Sequence, residues 1–339
     1  MAKILVAFPK ENVEKPFAPE MVEELNALGQ VAWADVGRLK TKPEEYRALL
    51  LRERPQVLVT FWGACMLTAE LFRENPQLKY LCHVSGELHR ILERGGLEGG
   101  LLVSNWGDVI SRTISEHALM MILASLRNVT RSTLDMHVRK GWSHFPTRSL
   151  FERTVGLHGL GPIAQELVPL LRPFDCKVSA CSPNAPDEVF ARLGVRRVAD
   201  LRTLYSENDI VSIHTGNTPQ NFHIVNAELL RCLRDGAILV NTARGPIVDT
   251  AALAAELQTG RIYAALDVFE EELIPPFKGL AADSPLRGLE NCLLTPHEGG
   301  PTPDRLVDCG RLALDNIRRY LRGEKPVNQI TLKRFDSMT

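Results

Sequence analysis

The stretch VGLHGLGPIAQELVPLL, residues 155–171, decides the fold of this chain. An apolar run typical of a buried strand leads into the pattern Gly-x-Gly-x-x-Ala, formed by Gly159, Gly161 and Ala164, and a helical pattern follows. In such a unit the first glycine permits a tight turn, the second lets the backbone approach a pyrophosphate, and the small third residue allows the helix to pack closely on the strand. N–H groups at the start of the helix favour phosphate. This context predicts a dinucleotide-binding unit; the alternative is a structural turn that holds no ligand.

Strand-like and helical patterns alternate on both sides of this stretch. Short apolar runs before it predict strands at 3–8, 31–36, 56–61 and 78–84. A single long helix is predicted from Ser111 to before Gly141, and an amphipathic helix closed by Gly323 is predicted near the C-terminus. From the opening stretch onward, further strands are predicted in TVGLHG, KVSAC, RRVAD, DIVSIHT, AILVNTA, YAALDVF and NCLLTPH. This alternation predicts two parallel sheets covered by helices on both faces.

Length and composition limit the number of domains and the kinds of partner that this chain can have. A chain of 339 residues and 37.8 kDa suits two domains. With 45% hydrophobic residues and a formal net charge of -1, it gives no support to a nucleic-acid or membrane partner. The start MAKILVAFPKENVEKPF has neither a secretory nor a membrane-spanning pattern, so we expect a cytoplasmic location. The seven cysteines contain no C-x-x-C pair, and no histidines show zinc spacing, so we expect scattered thiols and no metal.

The strand after the glycine-rich turn bears on the choice of cofactor. Such a strand usually ends, about 20 residues on, in an acid that holds the ribose 2′-OH of NAD. Here Ser182 occupies that place, and no arginine follows before Arg192. A serine hydroxyl can bind the ribose but does not repel a 2′-phosphate. The sequence therefore favours NAD and leaves NADP open.

Several segments at characteristic distances complete the pattern. They are GLGPIA, DIVSIHTGNTPQNFHIVNAELL, DGAILVNTARGPIVDTAALAAEL, AALDVFEEEL and LLTPHEGGPTPD. With them, nearly the whole chain resembles the D-isomer-specific 2-hydroxyacid dehydrogenase family and its phosphoglycerate dehydrogenase-like members. Together these motifs are highly specific.

The resemblance implies an α/β fold of two doubly wound parallel-sheet domains. A Rossmann cofactor domain, residues 104–297, is expected to be inserted into a smaller flavodoxin-like substrate domain made of residues 1–103 and 298–339. The resemblance also implies a homodimer formed through the cofactor domain. The implied activity is hydride transfer between a nicotinamide cofactor and a small D-2-hydroxy acid or the matching 2-oxo acid.

Two residues at predicted strand ends suit this chemistry on physical grounds. Arg244, in NTARG, offers a planar cation that matches a carboxylate in bidentate fashion. His297, in TPHEGG, has an ordinary pKa of about 6.5, which suits a proton carrier at neutral pH. A histidine in that role needs a carboxylate on its other ring nitrogen to fix its tautomer. A surface salt bridge for Arg244 and a loop histidine for His297 are the alternatives.

The run of glutamates at 270–272 contains the expected carboxylate. In the family pattern D-V-F-x-x-E, the acid five residues after the aspartate pairs with the catalytic histidine, and from Asp267 this position is Glu272. Glu270 and Glu271 are then expected to be solvated loop acids. Asp267 resembles the family residue that orients the nicotinamide ring. The resemblance assigns cofactor contacts to Gly159, Leu160, Gly161, Pro162, Ile163, Ser182, Thr215, Thr218, Thr242, Ala243, Arg244, Asp267, His297, Gly299 and Gly300.

The expected carboxylate-binding loop departs from the family pattern G-x-G-x-D. It reads SGELHR here, so Gly86 is kept, Leu88 replaces the second glycine, and Glu87 places an acid inside a loop that should accept an anion. Only the backbone needs to face the ligand, so the Glu87 side chain can point away. Trp62 is assigned either to the substrate pocket or to packing. His158, just before the glycine-rich turn, is interpreted as a packed strand residue.

Two functions of different classes fit these observations. The first is an NAD(P)-dependent dehydrogenase or reductase of a small D-2-hydroxy acid, with Arg244 as anchor and the His297–Glu272 pair as acid and base. The alternative is a dinucleotide-sensing binding protein on the same scaffold, similar to the corepressors of the family. The complete set of Arg244, Glu272 and His297 favours the enzyme. Formate or phosphite oxidation is a third option.

Overall fold

The chain folds into two compact units, each with its own parallel sheet. The computed structural model describes residues 1–12, 15–273 and 279–338. The first unit contains residues 1–110 and 302–339, and the second contains residues 111–301. These boundaries fall a few residues after the expected ones at 103/104 and 297/298. Ser104 lies in the first unit because it ends a strand of that unit's sheet.

The first unit has a five-stranded sheet. Its strands are β1 (Lys3–Phe8), β2 (Gln30–Asp35), β3 (Val57–Thr60), β4 (Tyr80–His83) and β5 (Leu102–Ser104), in the order β2-β1-β3-β4-β5. Its helices include α1 (Pro19–Asn26), α2 (Pro43–Glu53), α3 (Ala69–Glu74) and α4 (Arg94–Glu98). The strands β3 and β4 are buried along their whole length, as expected for a parallel sheet covered on both faces. The four predicted strands are present, and β5, only three residues long, was not predicted.

The second unit has a seven-stranded parallel sheet. Its strands are β6 (Thr154–His158), β7 (Lys177–Cys181), β8 (Arg196–Arg197), β9 (Ile210–Ile213), β10 (Ile238–Asn241), β11 (Tyr263–Leu266) and β12 (Cys292–Leu294). They lie in the order β12-β11-β10-β9-β6-β7-β8, so the chain moves one way from β6 and the other way from β9. The carboxyl ends of β6 and β9 therefore flank the point at which open α/β sheets bind ligands. All seven predicted strands are present.

The helices of the second unit cover both faces of this sheet. They are α5 (Ser111–Leu126), α6 (Val129–Thr133), α7 (Pro162–Leu171), α8 (Asp187–Leu193), α9 (Leu201–Glu207), α10 (Ala227–Arg231) and α11 (Thr250–Gln258). The predicted single helix from Ser111 to before Gly141 is wrong, because it is interrupted at Asn128. This residue has a left-handed backbone with φ 52°, and its side-chain amide donates a hydrogen bond to the carbonyl of Pro146. A left-handed residue cannot continue a right-handed helix.

The C-terminal segment returns to the first unit. Helix α12 (Leu306–Leu321) packs an apolar stripe that includes Leu314 and Ile317 into the core, and the chain turns at Gly323 with φ 76°. A short helix, α13 (Leu332–Ser337), follows. Among the described residues, no helix combines the length and the apolar character needed to cross a bilayer. All seven cysteines are free thiols.

Candidate active site

The turn between β6 and α7 is built around two glycines with different constraints. Gly159 has φ +100°, and a Cβ at this position would lie 2.8 Å from the carbonyl oxygen of His214, so only glycine fits. Gly161 has an ordinary extended backbone, and a Cβ there would approach the protein no closer than 3.9 Å. The backbone of Gly161 therefore faces open space.

Helix α7 begins at this turn with donors available for an anion. Pro162 occupies the first turn, and the capping residue makes no side-chain hydrogen bond to the helix. The first N–H groups of a helix have no partner within it, and the positive end of the helix dipole lies there. Ala164 is fully buried, which permits the helix to lie close to the sheet. Open space beside Gly161 and uncapped donors fit the pyrophosphate of a dinucleotide.

Ser182 directly follows β7, as expected for the ribose-binding position, and is half buried. The structure adds a cation that the sequence did not indicate. The guanidinium of Arg197 donates hydrogen bonds to the carbonyl oxygens of Ser182, at 3.3 Å, and Ala185, at 2.7 Å. It also forms an ion pair of 2.8 Å with Asp187. Sequence reasoning missed Arg197 because helix α8 separates it from Ser182 along the chain.

The predicted histidine and glutamate form a direct pair. The Nδ1 atom of His297 lies 3.0 Å from Oε1 of Glu272. The Glu272 side chain is 8% exposed, whereas that of His297 is 50% exposed, so the ring presents its other edge outward. The hydrogen bond to Glu272 raises the pKa of His297, and this effect outweighs burial and the positive charge of Arg244, which both lower it.

Arg244 lies on the turn that follows β10, close enough for its charge to act on His297. The side-chain amide of Asn241, the last residue of β10, donates to the carbonyl of Arg244 at 3.0 Å and fixes the start of the turn. The Nη1 atom of Arg244 donates to the carbonyl of Ala243 at 2.7 Å. The structure thus brings the guanidinium, the imidazole and the carboxylate of the three predicted catalytic residues together in the second unit.

Asp267 organises the loop that carries His297. This residue is 1% exposed, and its carboxylate accepts hydrogen bonds from the hydroxyl of Thr295 at 2.6 Å and from the backbone N–H groups of Glu298 at 2.9 Å and Gly299 at 2.8 Å. Burial alone would raise the pKa of Asp267, but the hydrogen bonds it accepts lower it. The carboxylate therefore stays charged and holds the 295–299 loop in place.

His117 is a further member of this group that sequence reasoning missed. Its Nε2 lies 3.2 Å from Oδ1 of Asp267 and 3.2 Å from the hydroxyl of Thr295. His117 is part of α5, which packs against the sheet, and its side chain is 15% exposed. The only signal in the sequence was a histidine within a predicted helix, and a contact across 178 residues leaves no local pattern.

The three adjacent glutamates have separate environments. Glu270 was expected to be solvated, and this is wrong: its side chain is 23% exposed and lies 2.7 Å from Nε2 of His223. The same expectation is wrong for Glu271, which is half buried and whose Oε1 accepts a hydrogen bond of 3.3 Å from Ser284. The three consecutive acids thus reach three different partners, His223, Ser284 and His297.

The other expected cofactor residues line the ends of neighbouring strands. Thr215 follows β9 and accepts a hydrogen bond of 3.0 Å from Asn221. Thr242 follows β10, and its hydroxyl is buried without a hydrogen-bond partner among the described residues. Thr218 begins a short turn, Leu160 is buried, and Gly300 has φ 151°. An unpartnered hydroxyl at a strand end is a feature that fits a bound ligand.

The expected carboxylate-binding loop lies in the first unit. Leu88 is fully buried in the core, and a Cβ added to Gly86 would lie 2.5 Å from Nε1 of Trp106. The side chain of Glu87 points to solvent, where it forms an ion pair of 3.3 Å with Arg90. The carboxylate of Glu87 is thus directed away from the loop backbone.

Trp62 is 37% exposed, and its ring meets that of Trp106 edge-on at 6.0 Å. His158 is buried, and burial lowers its pKa to about 4, in line with its interpretation as a packed strand residue.

Among the described residues, no group of three or more His, Cys, Asp or Glu side chains is arranged to hold a metal ion.

Comparisons with known proteins show which family this chain is similar to. Residues 119–299 match the NAD-binding domain of the D-isomer-specific 2-hydroxyacid dehydrogenases. A glyoxylate reductase from Thermofilum pendens is 34% identical over 284 residues, which cover 79% of this chain and 81% of that protein. A D-3-phosphoglycerate dehydrogenase from Methanocaldococcus jannaschii is 30% identical over 335 residues, or 98% of this chain, and the chain spans 60% of that protein's length.

Solved structures share the fold. The TT0316 protein from Thermus thermophilus is 26% identical, with a TM-score of 0.75 over 97% of this chain and 100% of its own. A glyoxylate reductase from Paecilomyes thermophila is 20% identical, with a TM-score of 0.81 over 97% of this chain and 98% of its own. The chain belongs to the D-isomer-specific 2-hydroxyacid dehydrogenase family of NAD(P)-dependent oxidoreductases.

Proposed function

We propose that this protein transfers a hydride between NAD(P)(H) and C2 of a small D-2-hydroxy acid or the matching 2-oxo acid. The observation that carries the proposal is the 3.0 Å contact between Nδ1 of His297 and Oε1 of Glu272, with the charge of Arg244 acting on the same imidazole. A proton carrier and a fixed cation at one place are the two groups that this reaction requires from the protein.

The His297–Glu272 pair supplies the proton for the substrate oxygen. With Nδ1–H donating to the Glu272 carboxylate, the Nε2 atom of His297 is left to face the substrate oxygen. In the direction of reduction, the protonated ring donates its Nε2 proton to the oxygen that was the carbonyl of the 2-oxo acid. In the direction of oxidation, the neutral ring accepts the hydroxyl proton. Glu272 stabilises the charged ring in both directions, which agrees with the raised pKa of His297.

Arg244 anchors and polarises the substrate. Its guanidinium can hold the carboxylate of a 2-oxo acid through two parallel hydrogen bonds, which fixes C2 relative to His297. A nicotinamide, when bound, would supply or accept the hydride at C2. The residues of the glycine-rich turn and Ser182 would hold the dinucleotide, and Asp267 would hold the loop of His297 in position beside it.

For the substrate we propose a short 2-oxo acid such as glyoxylate or hydroxypyruvate. Relatives named glyoxylate reductase and hydroxypyruvate reductase, from Thermofilum pendens and Thermotoga maritima, are 34% and 33% identical to this chain. The family match and the positions of Arg244, Glu272 and His297 support the same reaction class for this chain.

We further propose that the protein is a homodimer formed through the second unit. Large apolar side chains are exposed along α5, α6 and the segment after them, namely Met120, Val129, Met136, Val138 and Trp142. An exposed apolar surface of this kind marks a protein interface. The proposed dimer is tested by measuring the oligomeric state of the wild type and of the double variant Val138→Ser/Trp142→Ser by sedimentation. A monomeric wild type would contradict the proposal.

The function is tested with a panel of 2-oxo acids and NADH or NADPH, followed at the nicotinamide absorbance. We expect turnover of at least one short 2-oxo acid and its loss in His297→Ala. Tight nucleotide binding without turnover of any acid would instead support a dinucleotide-sensing protein.

A further inference from the structure

A second imidazole–carboxylate pair lies beside the turn that carries Arg244. The Nε2 atom of His223 is 2.7 Å from Oε1 of Glu270, and the two side chains are 31% and 23% exposed. The other oxygen of Glu270 accepts a hydrogen bond of 3.4 Å from the backbone N–H of Thr250, the first residue of α11. The mechanism proposed above uses neither member of this pair.

The turn after β10 contacts the backbone of both His223 and Glu270. The backbone N–H of His223 donates to the carbonyl of Pro246 at 2.9 Å. On the other side, a Cβ added to Gly245 would lie 1.9 Å from the carbonyl carbon of Phe269 and 2.3 Å from the backbone nitrogen of Glu270. The backbone at Gly245 is therefore in direct contact with the peptide that joins these two residues.

His223 itself is held in an unusual conformation. Its backbone is left-handed with φ 50°, a region that residues with a Cβ rarely adopt. Its ring is stacked on that of Phe222, with the centroids 4.0 Å apart. The hydrogen bonds to Glu270 and Pro246 hold the ring and the backbone of His223 in this arrangement.

We propose that His223 and Glu270 are a positioning pair that sets where the guanidinium of Arg244 lies relative to the Glu272–His297 pair. The proposal rests on the proposed function, in which Arg244 anchors the substrate. Glu270 and Glu272 stand two residues apart on one turn and reach two different histidines. A shift of this turn would therefore disturb the substrate anchor and the proton carrier together.

The kinetic test uses variants that separate the side chain from the backbone conformation. His223→Gly tolerates positive φ but removes the ring, whereas His223→Gln keeps an amide N–H donor at about the distance from the backbone at which Nε2 of histidine lies. We expect His223→Gly and Glu270→Ala each to raise KM for glyoxylate about tenfold, with kcat changed less than about threefold. The dissociation constant of NADH should change less than about twofold. His223→Gln should bring KM most of the way back to the wild-type value.

Two comparisons sharpen this test. The double variant His223→Gly/Glu270→Ala should be no worse than the worse single variant, because each substitution breaks the same link. Glu228→Ala, which breaks an ion pair with Arg202 in the same unit, should have no effect because both side chains are more than half exposed. An unchanged KM in His223→Gly, or equal losses of NADH and glyoxylate binding, would overturn the proposal.

An NMR titration of the histidine rings tests the same idea without turnover. Glu272 and Asp267 raise the pKa of His297, and Arg244 lowers it. Arg244→Ala should therefore raise this pKa, and His223→Gly should shift it in the same direction as the guanidinium moves away. His223→Gln carries the same charge as His223→Gly and should leave the pKa of His297 near the wild-type value.

The titration distinguishes a failure of the proposed function from a failure of the positioning-pair proposal. A wild type that reduces no 2-oxo acid would contradict the proposed function, while the pKa of His297 would still decide on the positioning pair. Equal pKa values of His297 in His223→Gly and His223→Gln, or no response of this pKa to Arg244→Ala, would overturn the positioning-pair proposal.

Discussion

The Nδ1 atom of His297 lies 3.0 Å from Oε1 of Glu272, with the carboxylate buried behind the ring and the ring half exposed. This relationship fixes which nitrogen is left for chemistry and raises the pKa of the imidazole. It also determines how the rate should depend on pH, because in the proposed mechanism the protonated ring is the form that donates a proton during reduction.

Glu272→Gln should shift the pH profile. Reduction loses rate as the pH rises through the pKa of His297, and removal of the carboxylate charge lowers that pKa. The alkaline fall in kcat/KM for glyoxylate and NADH should therefore move to lower pH. We expect kcat to drop about 10- to 100-fold, the usual effect of losing a group that orients a functional histidine. Glu228→Gln serves as the control, and an unchanged pH profile would remove Glu272 from the mechanism.

A lysine should not be able to replace Arg244 as the anchor of the substrate carboxylate. Lysine keeps the charge but cannot form two parallel hydrogen bonds to a carboxylate. We expect kcat/KM for glyoxylate to fall about 100-fold, mainly through KM, while NADH affinity stays within about threefold of the wild type. Steady-state kinetics and fluorescence titration measure the two quantities. Full activity in the lysine variant would mean that charge alone is sufficient at this position.

Alanine substitutions at the two glycines of the β6–α7 turn should have different effects, one on stability and the other on nucleotide binding. Gly159→Ala forces a Cβ to within 2.8 Å of the His214 carbonyl at φ +100°, so it should lower the melting temperature. Gly161→Ala meets no protein atom closer than 3.9 Å and should fold normally. Its methyl group enters the space expected to hold phosphate, so NADH affinity should fall about tenfold or more. Normal NADH binding in Gly161→Ala would place the pyrophosphate elsewhere.

Asp267→Asn should destabilise the protein without any ligand present. An asparagine has one acceptor oxygen, whereas the carboxylate now accepts from Thr295, Glu298 and Gly299 through both oxygens. At least one buried donor would face an amide NH₂, at a cost of about 1–3 kcal/mol. Urea unfolding measures the change. Asp187→Asn, at a side chain that is 90% exposed, is the matched control and should unfold like the wild type.

The sequence predicted those parts of the site that reside in short segments. The glycine-rich turn follows from steric needs within a few residues, and Arg244, Glu272 and His297 each follow a strand that the apolar pattern marks. The sequence could not predict contacts that cross the fold. His117 reaches Thr295 across 178 residues and His223 reaches Glu270 across 47, so no local period records either contact.

The errors in the fold have similar physical causes. The break at Asn128 depends on a bond from its side chain to Pro146, which lies in a segment without helix or strand. The strand β5 is too short to show alternation, and its pairing with β4 defines it. Glu270 was misassigned because three adjacent acids resemble a solvated loop unless their partners are known.

The close approach at Gly245 limits how this protein can be altered. Any side chain at that position would have to push aside the peptide between Phe269 and Glu270, since a Cβ would lie 1.9 Å from a carbonyl carbon. Engineering of substrate preference around Arg244 is therefore best confined to side chains that line the substrate. A library that varies position 245 should therefore yield almost entirely inactive clones.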